Sequence, residues 1–203
     1  MSEPASEKVL TAKGTRQAEA VLAAAIRCLG EEGYAGTSLQ RVADAAGVQK
    51  RMVLYYYESR ERLIATALQR LADAFLAQLQ ERLRGLHDPA AVIDAVAELF
   101  LAQAEDRALL TAYFGLLAES ATDPVLAAAV ADLRERAVAI AHDVLDDLEA
   151  HGHELSMERE LLILAAISIT NGVALELMQH GRTPQLERAI GLARIGAPLL
   201  LFD

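Results

Sequence analysis

Apolar residues recur along almost the whole chain at intervals of three and four, the spacing of one helix face. Val21, Leu22, Ala25, Ile26 and Leu29 make the first such face, opened by Thr15 and closed by Gly30 and Gly33. Leu39, Val42, Ala43 and Ala46 make a shorter one, which Gly47 ends where a left-handed residue costs least. Val48 then plugs a tight turn, and a second short helix carries Gln49, Lys50, Arg51, Tyr55 and Tyr56. Thr37 and Gln40 stand at the spacing of a capping box, with the threonine capping a first-turn N–H and the glutamine reaching back.

A longer stripe follows. Ser59 caps a helix with Leu63, Ile64, Ala67, Leu68, Leu71, Phe75, Leu79 and Leu83 on one side, up to Gly85. At ~1.5 Å per residue, roughly 25 residues span almost 40 Å, enough to join a small head to a second domain. Asp88-Pro89, Asp123-Pro124 and Thr183-Pro184 each pair a capping side chain with proline at the first helical position, and so mark three more helix starts. Val92, Ile93, Val96, Leu99 and Phe100 line a fifth helix; Leu109, Leu110, Tyr113, Phe114 and Leu117 line a sixth. Leu126, Val130, Leu133, Ala137, Ile140, Val144 and Leu148 line a seventh. An eighth, opening at Ser156, is apolar nearly all round from Leu161 to Met178 and must be covered. The ninth runs from Pro184 to about Leu200.

No period-two strand pattern, hairpin signal or repeat interrupts this series. The predicted fold class is all-α: an N-terminal three-helix helix-turn-helix head and a C-terminal helical core, about nine helices in all. Residues 1–14 read as a flexible arm, 15–60 as the head, and 61–203 as the helical core.

Composition adds limits. The 203 residues are 53% hydrophobic, spread among charges as in a water-soluble helical protein. The stretch 161–175 contains Ser168, Thr170 and Asn171 and reads as too short and too polar to span a bilayer, so no membrane partner is expected. The leading MSEPASEK lacks the apolar run of a signal peptide, and the single Cys28 cannot form an internal disulfide. A reducing cytoplasm is the simplest compartment. The net charge of −10 argues superficially against nucleic acid. Its distribution reverses that. Residues 8–62 hold nine Lys or Arg against six acids, whereas residues 63–203 hold ten against twenty-one. A basic head on an acidic body orients a protein on DNA.

Two short helices about a glycine turn form the unit that sets its second helix in the DNA major groove. Residues 37–63, TSLQRVADAAGVQKRMVLYYYESRERL, resemble the DNA-binding domain of the TetR (tetracycline repressor) family. The chain's length and helix order agree with that family beyond residue 70. The resemblance implies Gln40 and Arg41 beside the groove, and Gln49, Lys50 and Arg51 facing base edges. It implies Tyr55 and Tyr56 as a pair whose hydroxyls reach phosphates, Arg60 as a basic residue at the next helix start, and Tyr57 as a ring inside the head. Gln49, Arg51 and Leu54 depart from the family, which commonly has a small cap, a Gly or Pro, and a tyrosine there. Gln caps poorly, leaving Gln49 freer to contact bases, and two adjacent cations suit guanine or phosphate. Leu54 either touches a thymine methyl or packs.

For the core, the reading is a mostly apolar cavity lined by Phe75, Phe100, Tyr113, Phe114 and Met178, with Glu119 and Asn171 as polar anchors, taking a neutral or cationic apolar effector. Each aromatic taken singly reads first as plain core. His142, Asp146, His151 and His153 read as a solvated helix end and not a metal site. No nucleophile elbow, phosphate loop or cysteine cluster is present, so no catalytic residue and no cofactor is expected. The resemblance implies a homodimer paired through its last two helices, bound to a palindromic operator on double-stranded DNA, most simply as a repressor. The alternative is a helical small-molecule-binding protein that no longer binds DNA.

Overall fold

The computed structural model describes residues 11–103 and 107–202, of which the side chains of 103, 107–109, 199 and 200 are left aside. Leu109 and Leu199 therefore lie outside the described side chains. Nine helices run in chain order among the described residues: α1 (Ala12–Gly36), α2 (Leu39–Ala46), α3 (Lys50–Tyr57), α4 (Arg60–Leu83), α5 (Pro89–Gln103), α6 (Arg107–Ser120), α7 (Pro124–Ala150), α8 (Arg159–His180) and α9 (Pro184–Leu201).

Caps set most of the starts. The hydroxyls of Ser59 and Thr183 and the carboxylate of Asp123 each accept first-turn N–H groups, and Asp88 accepts from Ala91 in the same way. Two starts differ from the sequence expectation. Thr11, not Thr15, caps α1, so residues 12–14 are helical and not part of an arm. α8 begins at Arg159 and not at Ser156. The Ser156 N–H donates to the Leu201 carbonyl and Leu155 pairs with Phe202 in a single bridge, which holds that segment extended.

The capping box at Thr37 also needs correction. Ser38 is the cap of α2, accepting from the Arg41 N–H at 3.1 Å. Thr37 is buried; its hydroxyl donates to the Gly33 carbonyl at 2.7 Å, and the Gln40 amide donates forward to Asp44. Gly33 sits at φ 67°, ψ −174°, a conformation open to glycine, and breaks α1 ahead of its last residues.

The largest core cluster joins Val21, Leu22, Ala25 and Leu29 of α1 to Val42 and Val53 of the head and to Leu63, Ile64 and Leu68 of α4. It continues without a break into Ala112 and Leu116 of α6 and Leu126 and Ala129 of α7. Head and body thus share one interior across the expected boundary at residue 60.

α8 has 22 residues and a mean hydropathy of 2.0 over its most apolar window, long and apolar enough by those measures to cross a membrane. The stretch 161–175 is the middle of this helix, which extends past it at both ends. The Ser168 and Thr170 hydroxyls donate to carbonyls one turn back, which hides their polarity.

Candidate nucleic-acid interface

Gly47 closes α2 in the left-handed region (φ 65°, ψ 32°), and the N–H groups of Gly47 and Val48 return to the last α2 carbonyls. This turn seats α3 with Val53 fully buried and the opposite side in solvent. Gln49 precedes α3 in extended backbone and makes no side-chain capping bond, so its amide is not spent on the helix. Lys50 and Arg51 follow in the first turn, both exposed, and neither has an ion pair with a described residue.

Several neighbouring cations are committed instead. Arg41 donates to Glu32 at 2.5 Å, which raises its pKa, and lies 3.9 Å from Glu31. Arg62 pairs with Glu58 and Arg70 with Glu19. Arg60 donates through Nε to the Thr37 carbonyl (2.7 Å) and through its NH2 group to the Tyr34 carbonyl.

The three tyrosines separate by role. Tyr55 is 47% exposed and meets Tyr56 edge-on at 5.2 Å. The Tyr56 hydroxyl donates to Gln17 on α1 at 2.9 Å. Tyr57 donates to the Ala18 carbonyl at 2.8 Å, and burial pushes its phenol up to about 12. The structure therefore groups Gln49, Lys50, Arg51 and Tyr55 on the open side of α3. Gln40 and Arg41 flank them on α2, and Tyr56 and Arg60 lie behind, held by the protein's own backbone and side chains. Leu54, 38% exposed, is also on the open side. The internal partners of Arg60 had no sequence signal, because Tyr34 and Thr37 lie more than twenty residues earlier.

Among the core residues, Phe75 and Phe100 meet edge-on at 5.5 Å, and Phe100, Phe114 and Met178 pack in one cluster around Leu110 and Leu177. The Tyr113 hydroxyl reaches Asn171 Oδ1 at 3.4 Å, and burial raises the Tyr113 pKa. Glu119 is exposed in the last turn of α6. Two open clefts, of about 570 and 550 Å³, are lined by other residues, one around Leu155 and one around Arg194.

Residues 21–67 match the family of bacterial regulatory proteins described as tetR, over the very segment that carries α2, the turn and α3. The head is thus of the TetR type. Regulators of the TetR family bind DNA operators, act as dimers and are typically non-enzymatic. Over 62 residues the chain is 39% identical to the HTH-type transcriptional regulator RutR of Escherichia coli (strain K12), a stretch covering 30% of this chain. The match spans 29% of RutR, less than a third of that relative's length. A transcriptional regulator from Rhodococcus sp. Rha1 is 26% identical with a TM-score of 0.73, covering 89% of this chain and 95% of that one. A TetR transcription regulator from Haloarcula marismortui ATCC 43049 shares the fold at a TM-score of 0.78 and 22% identity, over 92% and 99% of the two chains. A protein from Saccharomonospora viridis solved in complex with choline does so at 0.79 and 14%, over 93% and 99%.

Proposed function

We propose that this chain is a one-component transcriptional regulator of the TetR family, a cytoplasmic repressor released from a palindromic operator by a small ligand. The observation that carries the reading is the pair Lys50 and Arg51. They stand exposed at the tip of a buried-backed helix, without a carboxylate partner among the described residues, while Arg41, Arg62 and Arg70 are all neutralised. Unpaired cations on a groove-sized helix suit phosphates and guanine edges. Residues 15–60 would read DNA and residues 61–203 would bind the effector and the second copy.

Two further observations support the division. α8 and α9 leave Leu161, Leu164, Ile169, Leu192 and Ile195 between 48% and 73% exposed, a face that a second copy of the chain would cover. Pairing there would set two α3 helices roughly 34 Å apart, one turn of DNA. The apolar cluster of Phe75, Phe100, Phe114 and Met178, with the Tyr113–Asn171 contact beside it, would open to take an apolar neutral or cationic effector. The body's acidic charge disfavours an anion, and the choline complex places a small cation in this fold in a distant relative. The effector must bind the DNA-free spacing more tightly than the DNA-bound one, since equal affinity shifts nothing.

The test is a salt-titrated mobility-shift assay on the DNA flanking the chain's own coding region, searched first for an inverted repeat. Binding to that repeat at least a hundredfold tighter than to random DNA, weakening steeply with salt, is the expected result. Equal and weak binding to both would leave the alternative, a helical small-molecule-binding protein.

A further inference from the structure

The fold brings together one group of side chains that the DNA and effector reading does not use. His87 lies in the turn between α4 and α5. Asp147 and His151 lie one helical turn apart at the end of α7. His87 Nδ1 donates to Asp147 Oδ2 at 2.6 Å, and His151 Nδ1 is 3.8 Å from Asp147 Oδ1. The two imidazoles stack with centroids 3.8 Å apart and planes 16° from parallel. One donor atom from each of the three residues lies within 4.8 Å of the other two. The helix end expected from sequence to be bland is thus rearranged. Asp146 is drawn off to Arg159, while His153 donates to the His87 carbonyl at 2.9 Å and steadies the turn.

We propose that His87, Asp147 and His151 form a binding site for a divalent first-row transition metal of the Zn²⁺ class. Two imidazoles and one carboxylate are a borderline donor set, suited to Zn²⁺, Co²⁺ or Ni²⁺ and poorly suited to the all-oxygen preference of Mg²⁺ or Ca²⁺. A tetrahedral Zn²⁺ with ligands at 2.0–2.1 Å needs its donors about 3.3 Å apart. The three side chains are each a little under half exposed, so rotation about their side-chain bonds closes that gap without moving a helix. Exposure also lets the cation in and leaves the fourth position to water. The acidic balance of residues 63–203 raises the local cation concentration. A bound ion fastens the far end of α4, just beyond Gly85, to the end of α7.

The experiment uses the untagged full chain, stripped of metal with a chelator and titrated with Co²⁺ under visible absorption, then with Zn²⁺ in competition. The expected result is saturation at one equivalent per chain with a four-coordinate spectrum, and a melting temperature raised by about 5 °C or more at a hundredfold excess over Kd. His87→Gln, Asp147→Asn and His151→Gln should each weaken binding at least tenfold, while His142→Gln leaves it unchanged. Circular dichroism checks the fold of each variant, and if one is unfolded the other two carry the comparison. Failure to saturate below 1 mM overturns the proposal. So does binding that survives both His87→Gln and His151→Gln.

Discussion

The Arg60 guanidinium lies over the ring of Tyr34, 4.0 Å from its centroid, while donating to the backbone carbonyls that bracket the α1–α2 connection. A residue at the first position of α4 thereby holds the end of α1 in place. Arg60→Ala should destabilise the folded chain by about 1.5–3 kcal/mol, the range for hydrogen bonds to a charged group. Arg60→Lys should recover only part, because the ammonium lacks the planar fork. Thermal melts without DNA are the measurement. A variant as stable as the parent but weakened on DNA would return Arg60 to a phosphate contact.

Lys50→Ala and Arg51→Ala should weaken operator binding, by about 1–3 kcal/mol for whichever makes a bidentate base contact, without lowering the melting temperature. Tyr55→Phe should act alike on all DNA sequences if its hydroxyl meets phosphate. Shift assays on operator and random DNA separate the two patterns. Parent-like affinity in both cation variants would remove α3 from the groove.

Leu192 and Ile195 are 73% and 72% exposed on α9. Replacing either with Glu should weaken self-association by about a hundredfold, roughly 3 kcal/mol, because a buried charge would lack a partner. Sedimentation velocity at micromolar concentration reads this directly. An unchanged dimer would place the interface elsewhere.

Arg194 on α9 donates to Asp94 on α5 at 2.6 Å, and that hydrogen bond, with the cation's charge, lowers the Asp94 pKa. A carboxylate depressed in the folded state stabilises above its unfolded value, ~3.9, and loses that contribution as pH falls below it. Asp94→Asn should therefore melt below the parent at pH 7, and the difference should shrink under pH 4. A pH-independent difference would mean that packing, not ionisation, links α5 to α9.

Helix starts were legible where a cap acts within three residues of itself, as at Ser59, Asp123 and Thr183. They were misplaced where a distant strand of chain decides. Leu155 and Ser156 are held by the C-terminal residues Leu201 and Phe202, and α8 starts three residues later than its serine suggests. At Thr37 and Ser38 two adjacent hydroxyls compete for one role. Thr37 spends its hydroxyl on the Gly33 carbonyl, which leaves the cap to Ser38. The open face of α3 was readable, since burial of Val53 and exposure of Lys50 and Arg51 follow from a period of 3.6. The His87 cluster was not, because its members stand 60 residues apart in sequence.

The core that runs from Leu29 through Leu63 to Leu116 and Leu126 has a mechanical consequence. A methyl group in place of the Gly115 hydrogen would sit 3.7 Å from Tyr34 Cβ, so α6 rests directly against the residue that Arg60 covers. The reading head is therefore bolted to the body through side-chain packing and does not hang from it by a tether. It should melt and exchange its amide protons in step with α6, and a tilt of α6 would reach α3 as a rotation of one solid piece.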